Sequence, residues 1–173
     1  GTGDPHLQAA EEGLTQEYTS PANKDLHDWA LGQWNAAKQR SIGIYAGATA
    51  TATHLPRFYT ENPFPLAASQ LHAQSRAWLG NKTQVASHFD LSDNFAVVAL
   101  GRRRFTLFPP EATKDLYVGP LNVTLAGQPV SMVDPLAPDL ERYPRYPDAR
   151  ALALTADLGP GDALFVPSLW WHH

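Results

Sequence analysis

The sequence predicts a mainly β fold, a double-stranded β-helix of the jelly-roll kind, and three observations carry that expectation. Short runs of strand-forming residues recur through most of the chain. Turn residues separate them at close intervals, without the alternation of strand and long helix that marks a parallel sheet. The third observation is size: 173 residues, 43% hydrophobic and 17% charged, supply one core but not two full domains.

From the N-terminus, Gly1-Thr2-Gly3-Asp4-Pro5 has no initiator Met, basic segment or apolar stretch. It reads as a scar or an internal cut, not as a signal peptide or membrane anchor, and a cytoplasmic location is the matching expectation. Residues 1 to about 20 are polar and aperiodic, the texture of a loosely held arm. Ser20-Pro21 then looks like an N-cap with Pro in the first turn, and Leu26, Trp29, Ala30, Trp34 and Ala37 share one helical face. A tryptophan stripe at that spacing is read as core packing. Residues 1–40 are therefore an arm plus one amphipathic helix, and 41–173 the β domain.

Strands are predicted over 42–53, 76–79, 85–89, 95–100, 104–108, 152–156 and 163–166. The breaks are Gly80-Asn81, Gly101, Pro109-Pro110, Gly119-Pro120, Gly127-Gln128-Pro129 and Gly159-Pro160-Gly161. The proline-rich stretch 120–150 is too long for a simple turn and is expected to be an ordered insertion over one mouth of the barrel. No internal repeat or low-complexity tract is present.

Charge and cysteine content narrow the chemistry. A net charge of -4 with both signs interspersed gives no basic field, so nucleic acid and anionic membrane are not expected partners. With no cysteine, disulfides, thiolate metal sites and cysteine nucleophiles are excluded, and any metal is held by nitrogen and oxygen.

Those donors lie in His88-Phe89-Asp90 and in Pro167-Ser168-Leu169-Trp170-Trp171-His172-His173. On a strand His88 and Asp90 point one way and Phe89 the other. A His-x-Asp pair alone is a weak signal in a chain with seven histidines. Taken singly, His88 reads as a half-buried histidine bonded to Asp90 or to a carbonyl, and His172-His173 as a polar pair at a chain end. The turn at Pro160-Gly161-Asp162 changes the weighing, because it launches an apolar strand that delivers His172, and a closed barrel can set that strand beside the first. Two imidazoles and a carboxylate are the ligands of an open non-haem iron site, whose free positions accept a chelating cosubstrate and dioxygen. In Gly101-Arg102-Arg103-Arg104-Phe105, alternation sets Arg103 opposite its neighbours. If the outer two are solvated, Arg103 points inward, where a buried guanidinium requires an anionic partner such as a cosubstrate carboxylate.

These segments, with Val133-Asp134 and Pro138-Asp139-Leu140-Glu141-Arg142-Tyr143-Pro144, resemble the cupin-like JmjC family, which includes an asparaginyl hydroxylase and many bacterial members. The resemblance covers about residues 44–173. It implies an Fe(II)- and 2-oxoglutarate-dependent dioxygenase that hydroxylates an amino-acid side chain of a protein or peptide, with dioxygen consumed and succinate and carbon dioxide released. His88, Asp90 and His172 would be the iron ligands, His172 rather than His173 because the family's ligand directly follows the Trp. Asn94 falls at a motif position near the cosubstrate, and Tyr45 looks like the tyrosine that bonds its distal carboxylate. Arg103 stands where close relatives carry a lysine for the same carboxylate, a change that keeps charge and alters reach.

Two departures stand out. Relatives carry Thr or Ser three residues before the first ligand; here that residue is Val85, and Thr83 matches only through a bulge or slipped register. The family also continues past the last ligand, through further strand and often through helices that form a dimer. The expectation is therefore a truncated chain whose His172 frays and whose full-length form is the active one, a homodimer being one state open to it. Other classes remain: a metal-binding cupin without oxygenase activity, and an inactive interaction module. Demethylation runs on the same chemistry, but nothing in the residues favours it.

Overall fold

The structure, a computed structural model, describes residues 45–124 and 127–173. The expected arm and helix over 1–40 lie outside the described residues. Contacts divide the chain into two compact units, 1–83 and 84–173.

In the first unit, β1 (Tyr45–Ala50) pairs antiparallel with β2 (Arg76–Gly80). The strand expected over 42–53 stops at Ala50. Its register shifts between Ala46 and Thr49, where Ala48 takes a left-handed φ of 52°, as a bulge requires. Thr51 then opens a short helix, α1 (Thr51–His54), and is pinned by its N–H and hydroxyl, which donate to the Ser75 carbonyl at 3.1 and 3.0 Å. Pro56 begins α2 (Pro56–Glu61), at a position where a missing N–H costs nothing.

The second unit holds two antiparallel sheets, the layers of the predicted jelly roll. One pairs β3 (Asn94–Val97) with β6 (Ala163–Val166). In the other, β4 (Arg103–Phe108) lies between β5 (Leu154–Leu158) and β7 (Trp171–His172). Phe105 and Leu107 of β4 pack against Val166 of β6, with Ala96 and Leu164 completing the layer between the sheets. Phe108, next along the strand, faces the other way into a second cluster with Leu116, Val133, Tyr146, Ala149 and Trp171. The described part of the 120–150 segment contributes to this core through Val133 and α3 (Tyr146–Ala151). Because α3 runs to Ala151, β5 begins at Leu154 and not at 152.

The Gly-Pro-Gly turn forms as read. Gly161 takes a φ of 89°, and the Gly159 N–H donates to the Asp162 carboxylate at 2.8 Å, which turns the chain into β6. The strand expected over 85–89 is reduced to a single residue, His88, which bridges Val130 on one side and His172 on the other. Beyond it the chain turns so that the Asp90 carbonyl accepts the Leu169 N–H at 2.9 Å, which ends any regular ladder.

Candidate metal centre

His172 is delivered by β7 and locked on both edges. Its N–H donates to the His88 carbonyl at 2.8 Å, and the His88 N–H donates back to the His172 carbonyl at 3.1 Å. On the other edge it is paired with Leu107 of β4, and the next residue, His173, exchanges both backbone bonds with Thr106, at 2.9 and 3.0 Å. Where a frayed end was expected, both edges of this two-residue strand carry backbone hydrogen bonds.

Trp171 anchors the strand from below. It is wholly buried, its indole N–H donates to the Thr113 hydroxyl at 2.8 Å, and its ring meets Phe89 edge-on with centroids 5.0 Å apart. Phe89 thus points into the core while its neighbours His88 and Asp90 point away from it, as alternation predicted.

His88, Asp90 and His172 come together, each offering one ligand atom, with these atoms within 4.8 Å of one another. The His172 Nε2 lies 3.8 Å from Asp90 Oδ2, and the two imidazole centroids are 4.3 Å apart. Each ring is oriented by a local carbonyl: His88 Nδ1 meets Ala86 O at 2.9 Å and His172 Nδ1 meets Trp170 O at 3.1 Å. Those contacts require Nδ1–H on both rings, which leaves each Nε2 lone pair for a metal. Burial, the neighbouring His88 and the Arg103 charge push His172 below the usual histidine range, against the Trp170 carbonyl and Asp90, which act the other way. A neutral imidazole is the form that ligates. His173, by contrast, is not one of the three clustered residues; its ring lies by the Val85 carbonyl and the Asp134 charge.

Two loops hold the ligands in register. The Ser168 N–H donates to the Asp93 carboxylate at 2.8 Å and its hydroxyl to the Leu91 carbonyl at 2.9 Å, while Leu169 is held at a φ of 67°. Asn94, the first residue of β3, donates its amide to Asp90 Oδ2 at 2.9 Å.

Arg103 opens β4 on the face of Phe105 and Leu107, its guanidinium carbon 5.4 Å from the Phe105 centroid. The inward direction was expected; burial was also expected and does not hold. Arg103 is exposed because it stands at the strand's first residue, beyond the Phe105 layer, and among the described residues no carboxylate pairs with it. Arg104 instead meets Asp157 in a two-pronged pair at 2.6 and 2.8 Å. Tyr45 and Thr83 belong to the first unit. Tyr45 starts β1 with its ring over Gly47, where an added Cβ would come within 2.8 Å of it, and Thr83 lies on exposed, irregular backbone after β2. Missed by sequence reasoning was Gln128, whose amide reaches Asp90 Oδ1 at 3.4 Å. Gly127 and Pro129 signalled only a turn.

Residues 9–173 match the cupin-like domain. The chain belongs to the cupin-like family. This cupin-like domain, of the JmjC-related kind expected from its motifs, is 30% identical over 170 residues to tRNA wybutosine-synthesizing protein 5 of Danio rerio, covering 98% of this chain and 47% of that protein. The Mus musculus protein of the same name is 37% identical over 90 residues, 52% of this chain and 26% of that one. HSPB1-associated protein 1 of Homo sapiens is 37% identical over 103 residues, 58% and 20% of the two chains. The cupin-like domain thus spans at most about half the length of these relatives. Its donor set, two imidazoles and one carboxylate, fits a divalent metal.

Proposed function

We propose that this chain is the catalytic domain of an Fe(II)- and 2-oxoglutarate-dependent dioxygenase that hydroxylates an amino-acid side chain in a protein or peptide. The observation that carries the reading is the convergence of His88, Asp90 and His172 with both Nε2 lone pairs uncommitted. A two-His, one-carboxylate face with open positions is the ligand set of non-haem iron oxygenases. Held there, Fe(II) with 2-oxoglutarate and dioxygen would supply the oxidising power for hydroxylating a C–H bond, with succinate and carbon dioxide as the other products.

The chain's own residues bind and orient. His88, Asp90 and His172 hold the metal on one side. The exposed guanidinium of Arg103 takes the far carboxylate of the cosubstrate, with the fork geometry suited to it. Asn94 is a further cosubstrate contact in this reading, and the 120–150 segment borders the substrate. Among the described residues no helix is long and apolar enough to cross a membrane.

The relatives named for wybutosine synthesis in tRNA support a second substrate class, an RNA nucleoside, and reopen the exclusion of nucleic acid drawn from net charge. A non-oxygenase cupin remains the alternative from another class. Anaerobic addition of Fe(II) and 2-oxoglutarate separates it: the oxygenase gives a visible charge-transfer band, and under air it releases succinate. Absence of both the band and succinate overturns the reading. Succinate release stimulated by unmodified tRNA and not by peptides moves the substrate to RNA.

A further inference from the structure

Asp90 is gripped by two carboxamides from separate elements: Asn94, at the start of β3, on Oδ2 and Gln128, from the loop before Val130, on Oδ1. We infer that Gln128 is a positioning residue of the metal centre, holding Oδ1 so that Asp90 meets a metal through Oδ2 alone. The inference rests on the metal-centre reading above and adds a residue to it.

The two oxygens are not equivalent. Oδ2 is the one 3.8 Å from His172 Nε2, on the side of the imidazoles. A free carboxylate can chelate through both oxygens, and chelation by Asp90 would consume a position that the cosubstrate and dioxygen need. Asn94 uses one lone-pair site of Oδ2 and leaves the other, on the side of His172, for a metal, whereas an amide on Oδ1 competes with chelation through both oxygens. The length of the Gln128 contact, 3.4 Å, lies beyond the usual range for N–H···O, so the contact steers Oδ1 without gripping it tightly.

The backbone around Gln128 is built to aim it. Gly127 takes a φ of 87°, a conformation costly for any residue with a Cβ. Pro129 fixes the following φ. Val130 bridges His88, and its carbonyl accepts the Gly119 N–H at 2.8 Å. The amide is therefore set two residues from the rung that also sets the first histidine ligand. Through Gln128, the segment proposed to border the substrate touches the metal's carboxylate directly.

The test is titration of Co(II) into the metal-free chain and into Gln128→Ala and Gln128→Leu, the second keeping bulk without a donor. Affinity, the visible cobalt spectrum and the metal-free melting midpoint are read together. The expected result is about tenfold weaker cobalt binding in both variants, a changed spectrum from altered carboxylate coordination, and an unchanged metal-free midpoint. Affinity and spectrum equal to the parent's overturn the assignment. So does a loss of affinity matched by a fall in the metal-free midpoint, which is a structural role. A parent that binds no cobalt overturns this inference and the metal centre together. A parent that binds cobalt but gives no band with Fe(II) and 2-oxoglutarate overturns the oxygenase reading alone.

Discussion

His88 and His172 face each other across one antiparallel rung, each N–H donating to the other's carbonyl, at 3.1 and 2.8 Å. Two of the three proposed metal ligands are thereby fixed by backbone as well as by side chain. Replacing one imbalances the donors without removing the rung. His88→Ala is expected to weaken metal binding by more than about 100-fold, beyond the range for outer partners, with little change in metal-free stability. Calorimetric metal titration beside thermal melting checks it.

Arg103 is exposed and stands over Phe105, so its loss leaves the core intact. Arg103→Ala is expected to weaken 2-oxoglutarate about 10- to 100-fold, the value of one charged hydrogen-bonded contact, with metal affinity unchanged. Arg103→Lys recovers part of it. Cosubstrate titration of the Fe(II) form, followed at the visible band, measures both; equal affinity in parent and Ala variant removes Arg103 from the cosubstrate site.

Trp171 carries the core and the strand of the last ligand together. Trp171→Ala is expected to cost about 3–5 kcal/mol and to abolish metal binding with it. Trp171→Phe keeps a ring against Phe89 and gives up the bond to Thr113, so about 1 kcal/mol is expected. Urea unfolding at neutral pH reports both values.

Asp134 closes a turn: its carboxylate accepts the Leu136 N–H at 2.9 Å and the Gln84 amide at 2.8 Å, and those bonds hold it below the usual carboxylate range. A group depressed in the folded state stabilises above its unfolded pKa, about 3.9, and loses that contribution as pH falls through its lower folded value. Asp134→Ala is therefore expected to destabilise slightly at pH 7, the gap to the parent narrowing as pH falls below about 4. A pH series of melting curves shows whether it closes.

The parts of this site legible in sequence are those fixed by chemistry and period. The donor types at 88, 90 and 172, the opposed direction of Phe89, and the turn at Gly159-Pro160-Gly161 all hold in the structure. Strand limits were read less well where tertiary contacts override alternation. Ser75 captures Thr51 and ends β1, and α3 displaces the start of β5. The burial expected for Arg103 failed because period gives a face but not a depth along the barrel. Gln128 was illegible for another reason: its aim depends on a glycine φ and on a bridge to His88 that no local pattern specifies.

The rung between His88 and His172 joins segments from opposite ends of the second unit, so closing it costs chain entropy that local turns do not. Where that rung forms after the rate-limiting barrier, a metal clasping both sides acts mainly on the reverse step. Metal saturation should slow unfolding far more than it speeds refolding. The centre would in that way serve as the latch that sets the lifetime of the folded barrel.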